Sequence, residues 1–214
     1  MKSAVKENFT SMVSRSSVVF LSLLVVPIFL SGASASAQNP ASCTFTMFNP
    51  PSGFSGNFFP KGINHFNTVV GGAYTTNTNS SEAGYTRFSG GGTSIFKAPN
   101  ALFTQLKKRN ANGVSVGQYT PKGGVESGPG THGVILTSSS QATLDYPGAD
   151  FTLLNGINKS NVIVGTADST SGSFGFKYVN GKFTKIVFPN AVQTTATAVN
   201  DNGVIVGGYE LRQL

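Results

Sequence analysis

Residues 156–199 read GINKSNVIVGTADSTSGSFGFKYVNGKFTKIVFPNAVQTTATAV, and they decide the fold because several strand signals follow one another within this one segment. The run Val162–Val164 is apolar and β-branched, which is typical of a strand buried on both faces. Aromatic residues then alternate with other residues at 174, 176 and 178, a period of two that places three rings on one face of a strand. The segment therefore predicts β-strands, not helices.

Turn residues divide the same segment into four short strands. Asn180-Gly181 is a two-residue hairpin signal, because both residue types tolerate the positive φ that such a turn needs. The alternation continues at Thr184, Ile186 and Phe188, and Pro189 ends it because proline has no N–H to donate to a ladder. A further strand is expected over 194–199, which makes four antiparallel strands in the segment.

The segment is one copy of a tandem repeat. An Asn, a short polar turn and a Val/Ile run that ends in Gly recur four times, and the closing glycines are 46, 48 and 42 residues apart. A proline precedes three of the Asn residues by 11 positions, with a Thr five positions after each proline (Thr104, Thr152 and Thr194). The structural repeat positions are Asn64, Gly71, Pro99, Asn110, Gly117, Pro147, Asn158, Gly165, Pro189, Asn200 and Gly207.

The repeat predicts an all-β fold built from tandem four-stranded antiparallel units of about 45 residues. This periodicity favours a propeller-like arrangement, and an open β-solenoid or a sandwich is the alternative. The units are expected at 62–109, 110–155 and 156–199, with a partial unit at 200–214 and the tail of a preceding unit at 46–50. About three and a half units leave an incomplete propeller. The chain is then either a truncated reading frame or a short protein that self-associates through open strand edges.

The repeated elements resemble those of a known family. Gly-Ile-Asn, Asn-Gly-Val-Ile-Val-Gly, Gly-Phe-x-Tyr and Phe-Pro-Asn-Ala are similar to elements of the bacterial extracellular repeat family called HAF, after its His-Ala-Phe-like segment. The counterpart of that segment is His132-Gly133-Val134, with Gly84-Tyr85 and Gly175-Phe176 in other copies, and no copy keeps the full His-Ala-Phe. The resemblance spans about 46–209. It implies export and a repetitive β architecture, and it implies no catalytic activity or ligand.

The first 37 residues are predicted to be a cleaved signal peptide, with the β-repeat domain at 38–214. Lys2, Lys6 and Arg15 precede an apolar stretch over 18–30, and Ala35-Ser36-Ala37 offers small residues for cleavage before Gln38. The apolar stretch is shorter than the ~20 residues of a membrane-spanning helix, so no stable span is expected after cleavage. A lipoprotein attached through Cys43 is disfavoured by Pro40. The expected location is extracellular, periplasmic or in the cell envelope.

The charge balance after residue 37 is basic, with twelve Lys and Arg against seven Asp and Glu. These cations are scattered except for Lys107-Lys108-Arg109, which is interpreted as a solvated loop that could touch an anionic partner. A nucleic-acid partner is not expected. Cys43 is the single cysteine, so the chain forms no internal disulfide.

The sequence offers little for catalysis or metal binding, and no catalytic, cofactor-binding or metal-binding residue is assigned. His65 and His132 lack metal-ligand spacing; His65 is expected in a turn and His132 at a structural repeat position. The turn Asn200-Asp201-Asn202-Gly203 faintly resembles a calcium loop. Its siblings at 110 and 158 lack the carboxylate, so ordinary hairpin turns are favoured.

The predicted function is that of a secreted, non-enzymatic binding or envelope-associated module, whose loops at 75–83 and 121–131 carry any specificity. The expected partner is an extracellular glycan or protein. The alternative is an extracellular polysaccharide hydrolase or lyase on the same scaffold. That alternative needs at least two acids among Asp145, Asp150, Asp168, Asp201 and Glu126 to converge in one cleft, whereas these aspartates are expected singly on loops.

Overall fold

The computed structural model describes residues 18–21, 45–49, 53–54, 57–75, 81–170 and 172–212. The chain divides into two compact units, 1–50 and 51–214. In the first unit, β1 (Val18–Leu21) pairs antiparallel with β2 (Phe45–Phe48). β1 falls within the stretch predicted as a signal peptide and β2 within the predicted tail of a preceding unit, and export itself stays a prediction.

The second unit contains fourteen strands among its described residues, which form four sheets. Sheet 1 consists of β3 (Phe58–Ile63), β4 (Val69–Tyr74), β5 (Glu82–Arg87) and β6 (Thr93–Phe96). Sheet 2 consists of β7 (Ala101–Arg109), β8 (Ser115–Pro121), β9 (His132–Leu136) and β10 (Gln141–Thr143). Sheet 3 consists of β11 (Phe151–Ile157), β12 (Ile163–Ser169), β13 (Gly172–Val179) and β14 (Lys182–Ile186). Sheet 4 has two described strands, β15 (Ala191–Val199) and β16 (Ile205–Leu211).

The predicted all-β fold of tandem four-stranded antiparallel units is confirmed. Within each sheet the strands pair in sequence order, each antiparallel to the next. The first strand of each sheet also contacts the sheet before it: β7 packs on β4 and β5, β11 on β8 and β9, and β15 on β12 and β13. Consecutive first strands contact one another as well, so the sheets stack face to face around their first strands, as propeller blades do.

Sheets 2, 3 and 4 begin at the repeated proline turn, and all four sheets place the repeated Asn between their first and second strands. The units expected from the sequence divide the same repeat at that Asn, one strand later. The segments Gly84-Tyr85, Gly133-Val134 and Gly175-Phe176 occupy equivalent places on the third strands, where Tyr85, Val134 and Phe176 pair with the closing glycines.

The apolar run of β12 is buried on both faces, as the sequence predicts. Ile163 packs with Val116 of sheet 2 in one core, while its neighbour Val164 packs with Ala196 of sheet 4 in another. Phe176 is completely buried in the first of these cores. Because adjacent residues of β12 fill two cores, sheet 3 joins sheet 2 to sheet 4.

The closing glycine of each second strand is required by its neighbours. A Cβ on Gly165 would lie 2.1 Å from the Leu153 carbonyl oxygen and 2.6 Å from Cζ of Phe176. The equivalent positions of the other sheets, Gly71, Gly117 and Gly207, would bring a Cβ within 2.0 Å or less of a first-strand carbonyl oxygen. The repeated Gly therefore marks a close approach of the first and second strands.

The fixed spacing between proline and threonine has a hydrogen-bond explanation. The N–H of Tyr146, just before Pro147, donates to Oγ1 of Thr152 at 3.0 Å. The N–H of Ala149 donates to the Tyr146 carbonyl and Gly148 has φ 75°, which describes a tight turn with proline at its second position. The same Thr bond recurs before Pro99 and Pro189, so a side chain caps the turn that starts each of sheets 2, 3 and 4.

Sheet 4 exposes residues whose counterparts in the other sheets are buried. Val206 is 58% exposed, whereas the equivalent Val116 and Val164 are completely buried. Tyr209 on the same strand is also exposed and stacks on Phe188 at 3.7 Å between ring centroids. The described residues contain no helix of the length and hydrophobicity that crossing a bilayer requires.

Candidate binding site along the first strands

The repeated Asn residues form a ladder of hydrogen bonds from sheet to sheet. Nδ2 of Asn64 donates to the carbonyl oxygen of Asn110 at 3.4 Å, Nδ2 of Asn110 to that of Asn158 at 2.9 Å, and Nδ2 of Asn158 to that of Asn200 at 3.0 Å. Each rung spans one full repeat, so the ladder fixes the relative register of consecutive sheets.

The other end of each Asn side chain closes its own turn. Oδ1 of Asn158 accepts hydrogen bonds from the backbone N–H groups of Ser160 and Val162, and Oδ1 of Asn200 accepts from those of Asn202 and Val204. One residue thus stabilises the local turn and the junction to the next sheet. The preference for turns over calcium loops agrees with this geometry, since the Asn side-chain oxygens accept backbone N–H bonds in all four copies.

A β-bulge follows the same period on the first strands. In each sheet the pairing between first and second strand shifts by one residue just before the Asn turn. The extra residue is Lys61 in sheet 1, Lys107 in sheet 2, Asn155 in sheet 3 and Thr197 in sheet 4. The backbone feature is therefore constant while its side chain changes from sheet to sheet.

All four bulge residues line one open cavity of about 630 Å³ between the first strands. Lys108, Phe151 and several hydroxyl and amide side chains also contribute to its wall. A smaller cavity of about 360 Å³ lies at the turn ends of the same strands and is lined by the four ladder Asn residues together with Lys108, Arg109 and Lys159. Such dimensions suit a small ligand or one unit of a larger one.

The larger cavity carries positive charge without close counter-ions. Within the described residues, neither Lys61 nor Lys107 has a carboxylate within 4.0 Å. Burial lowers the pKa of Lys107, the charge of Lys61 lowers it further, and Glu82 and Glu126 partly oppose both effects. Nζ of Lys107 lies 3.5 Å from Oδ1 of Asn155, the bulge residue of the next sheet.

A pair of carboxyl groups from two different sheets lies in the same charged cluster. Glu82, on β5, is completely buried, and Gln105 of sheet 2 donates to its Oε1 at 3.0 Å. Burial raises the pKa of Glu82 to about 7; the Gln105 bond opposes this, and the charge of Glu126 adds to it. Oε2 of Glu82 has no hydrogen-bond partner among the described residues.

The second of the two loops expected to carry specificity contacts the strand that leads into the first. Tyr74, next to the first loop, donates its hydroxyl to Oε2 of Glu126 in the second at 3.1 Å. Burial and the two glutamates raise the pKa of Tyr74 to about 12. Positions 76–80 of the first loop lie outside the described residues.

The acids considered for catalysis have separate local partners. Asp145 accepts from His132 Nδ1 at 2.8 Å and from the Gly133 N–H, Asp168 accepts from Ser173, and Asp201 accepts from the Lys159 N–H. Asp168 lies within β12, so its expected place on a loop is wrong; the strand continues past the apolar run because its ladder with β13 extends to Ser169. His65 lies in the predicted turn, and His132 is on β9.

The interpretation of Lys107-Lys108-Arg109 as a solvated loop is wrong. All three residues belong to β7, which pairs with β8 up to Arg109. The sequence did not indicate a strand here because three consecutive cations lack the apolar pattern of one. Their polar groups have partners in the structure, since Lys108 donates to the Ile63 carbonyl oxygen and Arg109 to Oγ of Ser115. Among the described residues no three His, Cys, Asp or Glu side chains come together as metal ligands.

Sequence reasoning missed the importance of Glu82 and of the bulge position. Glu82 was not among the acids considered, because a pair drawn from two sheets leaves no local spacing signal. The bulge residues could have been found by aligning the copies on their Asn, since each stands three residues before it.

The chain matches no protein-family model, and no curated protein matches its sequence. The resemblance to the HAF repeats is therefore still an expectation.

Proposed function

We propose that this protein is an exported, non-enzymatic binding module that holds an extracellular glycan or protein in the cavity between its first strands. One observation carries the proposal. A single repeat position, the bulge, lines the cavity in all four sheets and holds three residue types across its four places, while the Asn that follows each of these strands never varies. A rigid scaffold that presents variable side chains to one cavity is a common design of binding proteins.

Two measurements test this proposal. N-terminal sequencing of the protein recovered outside the cytoplasm is expected to begin at Gln38. An array of acidic and neutral glycans, together with a pull-down from the cell envelope, is expected to return at least one ligand or partner that requires a folded protein. Retention of the intact N-terminus in the cytoplasm would contradict the export part, and an absence of any ligand or partner would contradict the binding part.

A polysaccharide hydrolase or lyase is the second candidate, and the Glu82–Glu126 pair favours it. A carboxyl group whose pKa is raised by burial, beside a second carboxyl group, is a common arrangement for the acid of glycoside cleavage, and Glu82 has such a raised pKa. However, Glu82 is completely buried, so no sugar can reach it in this conformation. Incubation with polysaccharides, followed by assay of new reducing or unsaturated ends, tests the candidate. Cleavage that is lost in Glu126→Gln would establish it and displace the binding proposal.

A further inference from the structure

We propose that the cavity of about 630 Å³ binds the carboxylate of an acidic sugar, a uronic acid residue of an extracellular polysaccharide, through Lys61 and Lys107. This inference rests on the proposed binding function and names the ligand class. Lys61 and Lys107 come from equivalent positions of adjacent sheets, so the bulges place two ammonium groups on one wall.

The first support is electrostatic. Lys107 is partly buried and Lys61 beside it is exposed. A partly buried ammonium group without a close counter-ion is unfavourable, and a second cation near it makes it more so. Burial and the neighbouring Lys61 both lower the pKa of Lys107, and Glu82 and Glu126 oppose them only in part. An anion in the cavity would reduce the repulsion between the two ammonium groups, so the cavity favours a negatively charged ligand.

The second support is preorganisation. Nδ2 of Asn155 donates to Oγ1 of Thr166 at 3.1 Å and to the Ala196 carbonyl oxygen at 3.0 Å, which leaves its Oδ1 facing Nζ of Lys107. Asn155 is therefore held in place by sheets 3 and 4 and orients the lysine of sheet 2. A lysine positioned before binding loses less side-chain entropy when it meets a carboxylate.

The third support is the rest of the wall, which suits a sugar. Gln193 and Thr197 offer an amide and a hydroxyl group for sugar hydroxyls, and Phe151 offers an aromatic surface for a pyranose ring. The cations lie within one cavity and not along an extended stripe, which disfavours the backbone of a nucleic acid as the occupant.

The test is calorimetric titration of the purified protein with three probes: a trimer of galacturonate, the neutral galactose trimer of equal length, and inorganic phosphate. We expect the acidic trimer alone to bind, with an affinity that falls as salt is added. Lys107→Met is expected to weaken this binding by about tenfold or more, and Lys61→Met by a similar or smaller factor. The matched control is Lys182→Met, an exposed lysine on β14 outside the cavity, which should leave the affinity unchanged.

Several results would overturn the inference. Equal binding of acidic and neutral trimers would remove the role of charge, binding of phosphate in place of the sugar acid would remove the ligand class, and an acidic trimer that binds Lys61→Met and Lys107→Met normally would remove the site. Absence of acidic-trimer binding would also overturn it. Lys61 is exposed, so Lys61→Met keeps the test intact even where Lys107→Met fails to fold. A different ligand found on the glycan array would preserve the proposed function while this inference fails.

Discussion

The Asn at each turn and the bulge residue three positions before it are neighbours in every copy of the repeat, yet they differ in how much they vary from copy to copy. The Asn is identical in all four copies, and its amide and carbonyl groups bond the next sheet and its own turn. The bulge residue is Lys, Lys, Asn and Thr in turn, and all four line a cavity. Positions that hold the sheets together tolerate no variation among the copies, while the position beside them varies freely.

This contrast separates the roles of neighbouring residues on one strand. The ladder, the closing glycine and the capped proline turn hold the backbone in one geometry, so the bulge always projects its side chain to the same place. A change at a scaffold position should therefore destabilise the fold, whereas a change at an exposed bulge residue, Lys61 or Thr197, should leave stability nearly unchanged.

The substitution expected to destabilise the fold most is Gly165→Val. The new Cβ would collide with the Leu153 carbonyl oxygen and with the Phe176 ring, which fills the core between sheets 2 and 3. We expect a loss of about 4 kcal/mol in unfolding free energy or a failure to fold, measured by urea denaturation. Gly90→Ala is the control, because its Cβ would meet no atom within 4 Å, and a similar loss there would refute the steric explanation.

Glu82 gives the next largest effect, and it depends on pH. Its pKa in the folded protein, about 7, lies above the ordinary value of 4.5, so its stabilising contribution is complete below pH 4.5 and falls as the pH rises to 7. Relative to Glu82→Gln, which keeps the acceptor for Gln105, the wild type should lose about 3 kcal/mol over this window.

Unfolding curves of both proteins at about pH 4, 5.5, 7 and 8.5 measure this difference in stability. Parallel stability profiles for the wild type and Glu82→Gln would show that the buried carboxyl group does not titrate in this range. Thermal melts at the same pH values provide a second reading of the same difference.

The sequence predicted the repeating backbone well because its signals are local. Asn180 and Gly181 have positive φ of 50° and 82° in the hairpin expected from their types, and Ile163 and Val164 are buried on opposite faces. Turn chemistry and side-chain alternation depend on a few adjacent residues, so they survive without knowledge of the tertiary structure.

The candidate site could not be predicted in the same way because it joins residues that are far apart in the chain. Glu82 and Gln105 belong to different sheets, and the Lys107 ammonium reaches Asn155 of a third. The polarity of Lys107 also concealed its strand, since a bulged first strand beside a cavity accepts cations that a two-sided core strand rejects.

The Asn ladder can be divided into its two contributions by Asn→Asp substitutions. Asn158→Asp keeps the turn acceptors and removes the amide that donates to the Asn200 carbonyl, so we expect a loss of about 2 kcal/mol. Asn200→Asp also keeps its turn acceptors, and its Nδ2 makes no hydrogen bond within the described residues, so its cost should stay below about 0.5 kcal/mol. Equal losses in urea denaturation would show that the ladder adds nothing beyond the turns.

The smallest effects compare two threonines three residues apart on β15. Oγ1 of Thr194 is a scaffold group that accepts the Phe188 N–H at 3.0 Å, whereas Thr197 is the exposed bulge residue. Thr194→Val keeps the shape and leaves a backbone donor unpaired, which should cost about 1 kcal/mol, while Thr197→Val should cost less than about 0.5 kcal/mol. Because both proteins carry the same substitution in the same strand, β propensity cancels, and the difference in urea midpoint isolates the scaffold bond. A larger loss at Thr197 than at Thr194 would mean that the bulge position supports the fold and that its variation between sheets has a structural origin.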